Sequence, residues 1–123
     1  MLTRKEFAQK ADAICARGKQ KTQALATPTT LPQLARLADQ TADVLNDALE
    51  DLRKLEPPAQ ERNLVDQWLA GVETLESDVR EIGKRAGEND RGGVSALAAK
   101  AQKRNARVNA LAARLGMTVC NEG

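Results

Sequence analysis

Histidine and tyrosine are both absent from this 123-residue chain, and there is one Phe, one Trp and four Pro. Without histidine there is no haem–imidazole ligation, no His-bearing zinc site and no imidazole to activate a nucleophile. Serine occurs only at Ser77 and Ser95, so hydroxyl nucleophiles are scarce and lack a base. The shortage of aromatics argues against sheet, whose strands draw on aromatic and β-branched residues. No run approaches the ~20 apolar residues that span a bilayer. In their place stand 21 Ala and 15 Leu among 29% charged residues, the composition of packed amphipathic helices. The length suits one domain over residues 1–123, with a core that needs no metal staple.

Four helical segments are legible. Thr3-Arg4-Lys5-Glu6 is a capping box, in which Thr3 caps a backbone N–H and Glu6 reaches back to the cap. It opens a helix with a face of Phe7, Ala11, Ile14, Gly18, Thr22 and Leu25, in steps of three and four. A second capping box, Thr30-Leu31-Pro32-Gln33, opens helix 2, striped by Leu34, Ala38, Thr41, Leu45, Ala48, Leu52 and Leu55 and ended by Pro57-Pro58. Helix 3 is expected over about residues 59–86, with Leu64, Val65, Trp68, Val72, Leu75, Val79, Ile82 and Ala86 inward. Gly87-Glu88-Asn89 breaks it, and Asp90 caps helix 4, whose stripe runs from Val94 through Leu97, Ala101, Asn105, Val108 and Leu111 to Leu115. Gly116 is a C-terminal stop signal followed by hydrophobic Met117. Helices of this length on short turns predict an all-α, antiparallel up-down-up-down four-helix bundle.

The two cysteines, Cys15 and Cys120, lie near opposite ends and fit neither a metal motif nor a CxxC redox motif. They are either a bridge or two unrelated buried thiols. A bridge closes a loop of about 105 residues, worth roughly 4–5 kcal/mol in the chain-entropy model. It also implies an exported domain whose leader has been removed, with Met1 as an added start.

The segments Leu2-Thr3-Arg4-Lys5-Glu6-Phe7, Ala11-Asp12-Ala13-Ile14-Cys15, Leu55-Glu56-Pro57-Pro58, the later Trp68 and the closing Leu115-Gly116-Met117-Thr118-Val119-Cys120 resemble small exported or lipid-anchored helical domains of actinobacteria. The resemblance spans nearly the whole chain on short anchors, and no activity is assigned to that group. It implies an extracytoplasmic address and a Cys15–Cys120 bridge, and nothing about chemistry. A lipid-anchoring cysteine would precede Met1.

Closure of such a bridge constrains the tail. Cys15 is about 16 Å along helix 1 at 1.5 Å per residue. The span from Leu115 to Cys120 is about 16 Å if extended. The lengths match only if the chain reverses at Gly116 and runs back along helix 1, which predicts an extended tail, Met117 to Cys120, packed on that helix.

Charge is segregated. Helix 1 carries six bases against Glu6 and Asp12, helix 4 six bases and no acid, and residues 31–90 fourteen acids against seven bases, beneath a net charge of +2. With helices 1 and 4 as neighbours, Arg17, Lys21, Lys100, Lys103, Arg104, Arg107 and Arg114 are expected to form one basic edge. That pattern serves either topology selection or contact with an anionic partner. Nucleic acid is disfavoured, because no reader motif or interleaved aromatics accompany the charge. Asp39, Asp43, Asp47 and Asp51 recur every four residues on helix 2. A straight helix splays such carboxylates, so they read as a solvated or salt-bridged face and not as a metal site.

No catalytic constellation and no cofactor motif emerges. Gly18, Gly71 and Gly83 fall inside helices, each at about 1 kcal/mol relative to Ala. Matching helix midpoints places Gly18, Thr41, Gly71 and Asn105 in one layer near Trp68, either as a pocket or as close helix approach with satisfied polar groups. The reading is therefore a non-enzymatic, extracytoplasmic helical module, a monomer or weak homodimer, contacting an unidentified protein or anionic surface through the helix 1/helix 4 edge. The alternative is a carrier or sensor holding a small apolar ligand in the bundle core.

Overall fold

The computed structural model describes residues 1–123 and is entirely helical. Its elements are α1 (Arg4–Gln23), α2 (Leu31–Arg53), a 3-10 turn (Ala59–Glu61), α3 (Arg62–Gly87), α4 (Arg91–Arg114) and a terminal 3-10 turn (Cys120–Glu122).

Helix boundaries follow local chemistry. At α1 the capping box is complete, with Thr3 Oγ1 accepting from the Glu6 N–H at 3.1 Å and Glu6 Oε1 accepting from the Thr3 N–H at 2.9 Å. At α2 only half of the expected box forms. Thr30 Oγ1 accepts from the Gln33 N–H, but Gln33 Oε1 turns one residue further back, to the N–H and hydroxyl of Thr29 at 2.7 and 2.8 Å. Thr29 offers two donors where the Thr30 backbone offers one. Asp90 caps α4 by accepting from the Gly93 N–H.

The ends of α3 and α4 are Schellman motifs. After α4, Met117 N–H donates to Ala112 O and Gly116 N–H to Ala113 O, with Gly116 at φ 85°. After α3, Asp90 N–H donates to Arg85 O and Asn89 N–H to Ala86 O, with Asn89 at φ 60°. These reversals make α3 and α4 antiparallel and send the tail back toward α1.

The register between α2 and α3 is marked by Asp43–Arg80 at 3.3 Å and by Arg53–Glu73. The chain runs on past α2 through Leu55–Gln60 before it reverses, so α3 begins beyond the end of α2. Helix midpoints therefore do not face one another, and the midpoint-matched layer expected from the sequence is corrected. Gly71 lies level with Val108 and with the last turn of α2, whereas Thr41 lies level with the residues near Gly83. The two heights differ by about 16 Å.

Large buried side chains gather at one end. Phe7, Ile14, Leu49, Leu52, Val65, Trp68, Val108, Leu115 and Met117 form the core, with Phe7 edge-on to Trp68 at 6.5 Å and 81°. Toward the other end the buried residues are Ala38, Ala42, Gly83 and Ala86, all small and all on α2 and α3. A Cβ on Gly83 would sit 3.0 Å from the Ala38 Cβ and 3.4 Å from the Ala35 carbonyl, so backbone approach is close there. Thr22, Leu25, Val94, Leu97 and Ala101 continue the α1 and α4 stripes but are only half-buried.

The fourth seam is not a simple helix pair. α1 and α4 flank the C-terminal segment, which contacts both. Cys15 and Cys120 are joined, with Cα atoms 5.4 Å apart. The tail does return along α1, and its last residues coil into the 3-10 turn instead of continuing straight. At its entrance Arg4 donates to the Arg114 carbonyl and pairs with Glu61 at 2.9 Å, tying α1, α4 and the start of α3 at one point.

Candidate functional site

Asp12 organises the seam from within. It sits on the face of α1 that carries Cys15, less than one turn before it. Its Oδ1 accepts from the N–H of Val119 at 2.9 Å and of Cys120 at 3.0 Å, and its Oδ2 accepts from Thr118 N–H at 3.0 Å and Thr118 Oγ1 at 3.3 Å. Partial burial pushes the carboxyl up. The three backbone N–H groups and the Thr118 hydroxyl outweigh it, and the group is held below the ordinary carboxylate value. Farther along, Lys19 pairs with Glu122 at 3.4 Å, and Asn105 and Asn109 of α4 donate to the Gly123 carbonyl at 2.7 and 3.4 Å. Sequence reasoning placed the tail on α1 and left Asp12 unassigned. Its position three residues before Cys15 was the available signal.

Filling of this seam corrects the expected continuous basic edge. An α-helix turns about 100° per residue, so two positions differ by about 200°. Arg17 is two residues from both Cys15 and Lys19, which meet the tail, and it therefore points away from it. Lys21 lies two residues beyond Lys19 and turns away with it. On α4, Arg107 is two residues from both Asn105 and Asn109 and also points away. The cations of α1 and α4 thus occupy opposite flanks, with the tail between them. Arg104 leaves the set as well, because its Nε binds Asp78 Oδ2 of α3 at 2.7 Å, with the side chains 27% and 13% exposed. It stitches α4 to α3.

What remains on α4 is a stripe. Lys100, Lys103, Arg107 and Arg114 follow one another at steps of three, four and seven, all exposed, and none has a carboxylate within 4.0 Å. They extend over about 21 Å of helix. Exposed Ala96, Ala99 and Ala110 share that face of the helix. Asp78 and Glu81 of α3 are already engaged, by Arg104 and Arg85. On α2, Asp43 pairs with Arg80 and Asp51 with Lys54, as expected of a salt-bridged face.

The candidate pocket residues do not converge. A Cβ on Gly18 would lie an ordinary 3.6 Å from Val44 Cγ1 of α2, whereas one on Gly71 would lie 2.7 Å from Val108 Cγ2. Gly71 therefore permits close approach of α3 and α4, and Val108 fills the space. Trp68 packs on Phe7, Asn105 holds the chain end, and Thr41 is half-buried at another height. A surface hollow of about 370 Å³ lies elsewhere, lined by Arg53, Leu55, Pro57, Arg62, Leu69 and Glu73 among others. No helix is long and apolar enough to cross a membrane. A disulfide of this kind persists where the surroundings are oxidising. Comparison of the chain with protein-family models, with curated proteins and with solved structures finds no match.

Proposed function

We propose that the protein is a non-enzymatic, extracytoplasmic helical module that contacts an anionic surface or partner through the α4 stripe. The observation that carries this reading is the set of Lys100, Lys103, Arg107 and Arg114, exposed and without carboxylate partners on one line of one helix. Several other cations are neutralised by neighbours, as at Arg80, Arg85 and Arg104. Unpaired charge of one sign raises the local concentration of counter-charged ligands. The disulfide supports the extracytoplasmic part of the reading.

The test is co-sedimentation with vesicles of phosphatidylglycerol and phosphatidylcholine in equal parts, at low and at moderate salt. The expected result is binding at low salt that fades as the Debye length shrinks from ~30 Å at 0.01 M to ~8 Å at 0.15 M. Replacing Lys100, Lys103 and Arg107 by Gln should abolish it, and replacing Arg17 and Lys21 by Gln should leave most of it. Absence of binding to vesicles and to a soluble polyanion at low salt would refute the proposal.

A further inference from the structure

The C-terminal segment is held by more than its sulfur. Four donors, three of them consecutive backbone N–H groups, converge on the single carboxylate of Asp12 at 2.9–3.3 Å. Those N–H groups precede and open the terminal 3-10 turn, where no carbonyl of the turn itself can receive them. Asp12 therefore caps that turn from another element. A carboxylate offers only acceptors, which is what three N–H groups and a hydroxyl require. Cys15 follows Asp12 on the same face of α1, and Cys120 donates the last of the three N–H groups. Seating the backbone on Asp12 thus brings the two sulfur atoms together.

We propose that Asp12 is the positioning residue for the Cys15–Cys120 bond: its carboxylate docks the tail on α1, so that the tail occupies its seat before and without the bond. Oxidation then removes a hydrogen from each thiol. The two electrons and two protons reduce the disulfide of the oxidant, glutathione disulfide in the assay below, to two thiols. Burial of Met117 and the Asn105 and Asn109 contacts to Gly123 support the same seat from the α4 side.

Two measurements test this. The first is residue-resolved amide exchange on Cys15→Ser/Cys120→Ser protein at neutral pH. The amides of positions 118, 119 and 120 should remain protected, and adding Asp12→Asn should release them while the amides of α2 and α3 keep their protection. Free exchange at these three positions with Asp12 intact and the helices still protected would overturn the proposal. The second keeps both cysteines and so stands even if the serine variant does not fold. The equilibrium constant for bond formation against a glutathione buffer should fall on the order of tenfold or more in Asp12→Asn, which sets an amide donor among N–H donors. Asp12→Glu, which restores the carboxylate, should recover part of the loss. An unchanged constant in Asp12→Asn would also overturn it.

Discussion

Asp12 and Gly71 show why single residues here were legible to different degrees. Asp12 reads as one more surface acid, and its role depends on a segment more than a hundred residues away. Its pH behaviour has a definite sign. The folded carboxyl lies below its ordinary value, so its stabilisation is complete above the ordinary carboxylate range and is lost as the pH falls through the depressed folded value. At neutral pH Asp12→Asn should lower stability by about 1–2 kcal/mol in urea unfolding, and the gap from the parent should narrow in acid. A constant gap across that range would show that the charge is not what matters. Gly18 and Gly71 look identical in sequence, as helix-interior glycines, and differ only in what faces them. Gly18→Ala meets an ordinary contact with Val44 and should gain about 0.5–1 kcal/mol from helix propensity. Gly71→Ala forces its Cβ on Val108 and should lose about 1–3 kcal/mol, largely restored by Val108→Ala in the same chain. Thermal unfolding of the three variants decides whether close approach is the reason for Gly71.

At the scale of elements, helix ends were the best-read features because their signals are local. Thr3, Asp90 and Gly116 each act within a few residues, and each performs the expected capping role. The register between helices was not legible. It depends on how far the chain travels from Lys54 to Glu61 before turning, and Pro57-Pro58 fixes that conformation without announcing its direction. That is why Thr41 and Gly71 were placed in one layer and are not. The tail was readable because bond closure and chain length left one geometry, although Arg4, Asp12, Asn105 and Asn109 as its fastenings were not. The loop closed by the bond is long, with a sequence separation of 105, and the chain-entropy model assigns it about 4–5 kcal/mol. Reduction, or Cys15→Ser with Cys120→Ser, should move the urea midpoint down accordingly. A shift under about 1 kcal/mol would mean that the tail contributes little beyond what Asp12 already secures.

For the whole molecule, the helices are uniform in length but the interior is not. Core volume concentrates where Phe7, Trp68 and Leu115 meet, while the ends of α1 and α4 nearest the α1–α2 and α3–α4 turns hold no buried residue. Stability should follow this division. Trp68→Ala should cost about 3–5 kcal/mol and Leu97→Ala less than about 1.5 kcal/mol. Amide exchange should open Gly18–Gln23 and Val94–Ala101 before the rest. Uniform protection along α4 would contradict the division. The charge pattern was visible by counting, yet its meaning required the third dimension. Helical phase together with the tail in the α1–α4 seam divides the basic residues between two flanks, and the α4 flank carries the longer unpaired line, four cations against Lys10, Arg17 and Lys21 on α1. The most direct measurement is residue-resolved chemical-shift mapping while soluble polyphosphate is titrated into the oxidised protein at low salt. Perturbations confined to the α4 line through Lys100, Lys103, Arg107 and Arg114, and reversed by added salt, are expected; perturbations centred on Arg17 and Lys21, or none anywhere, would contradict the account.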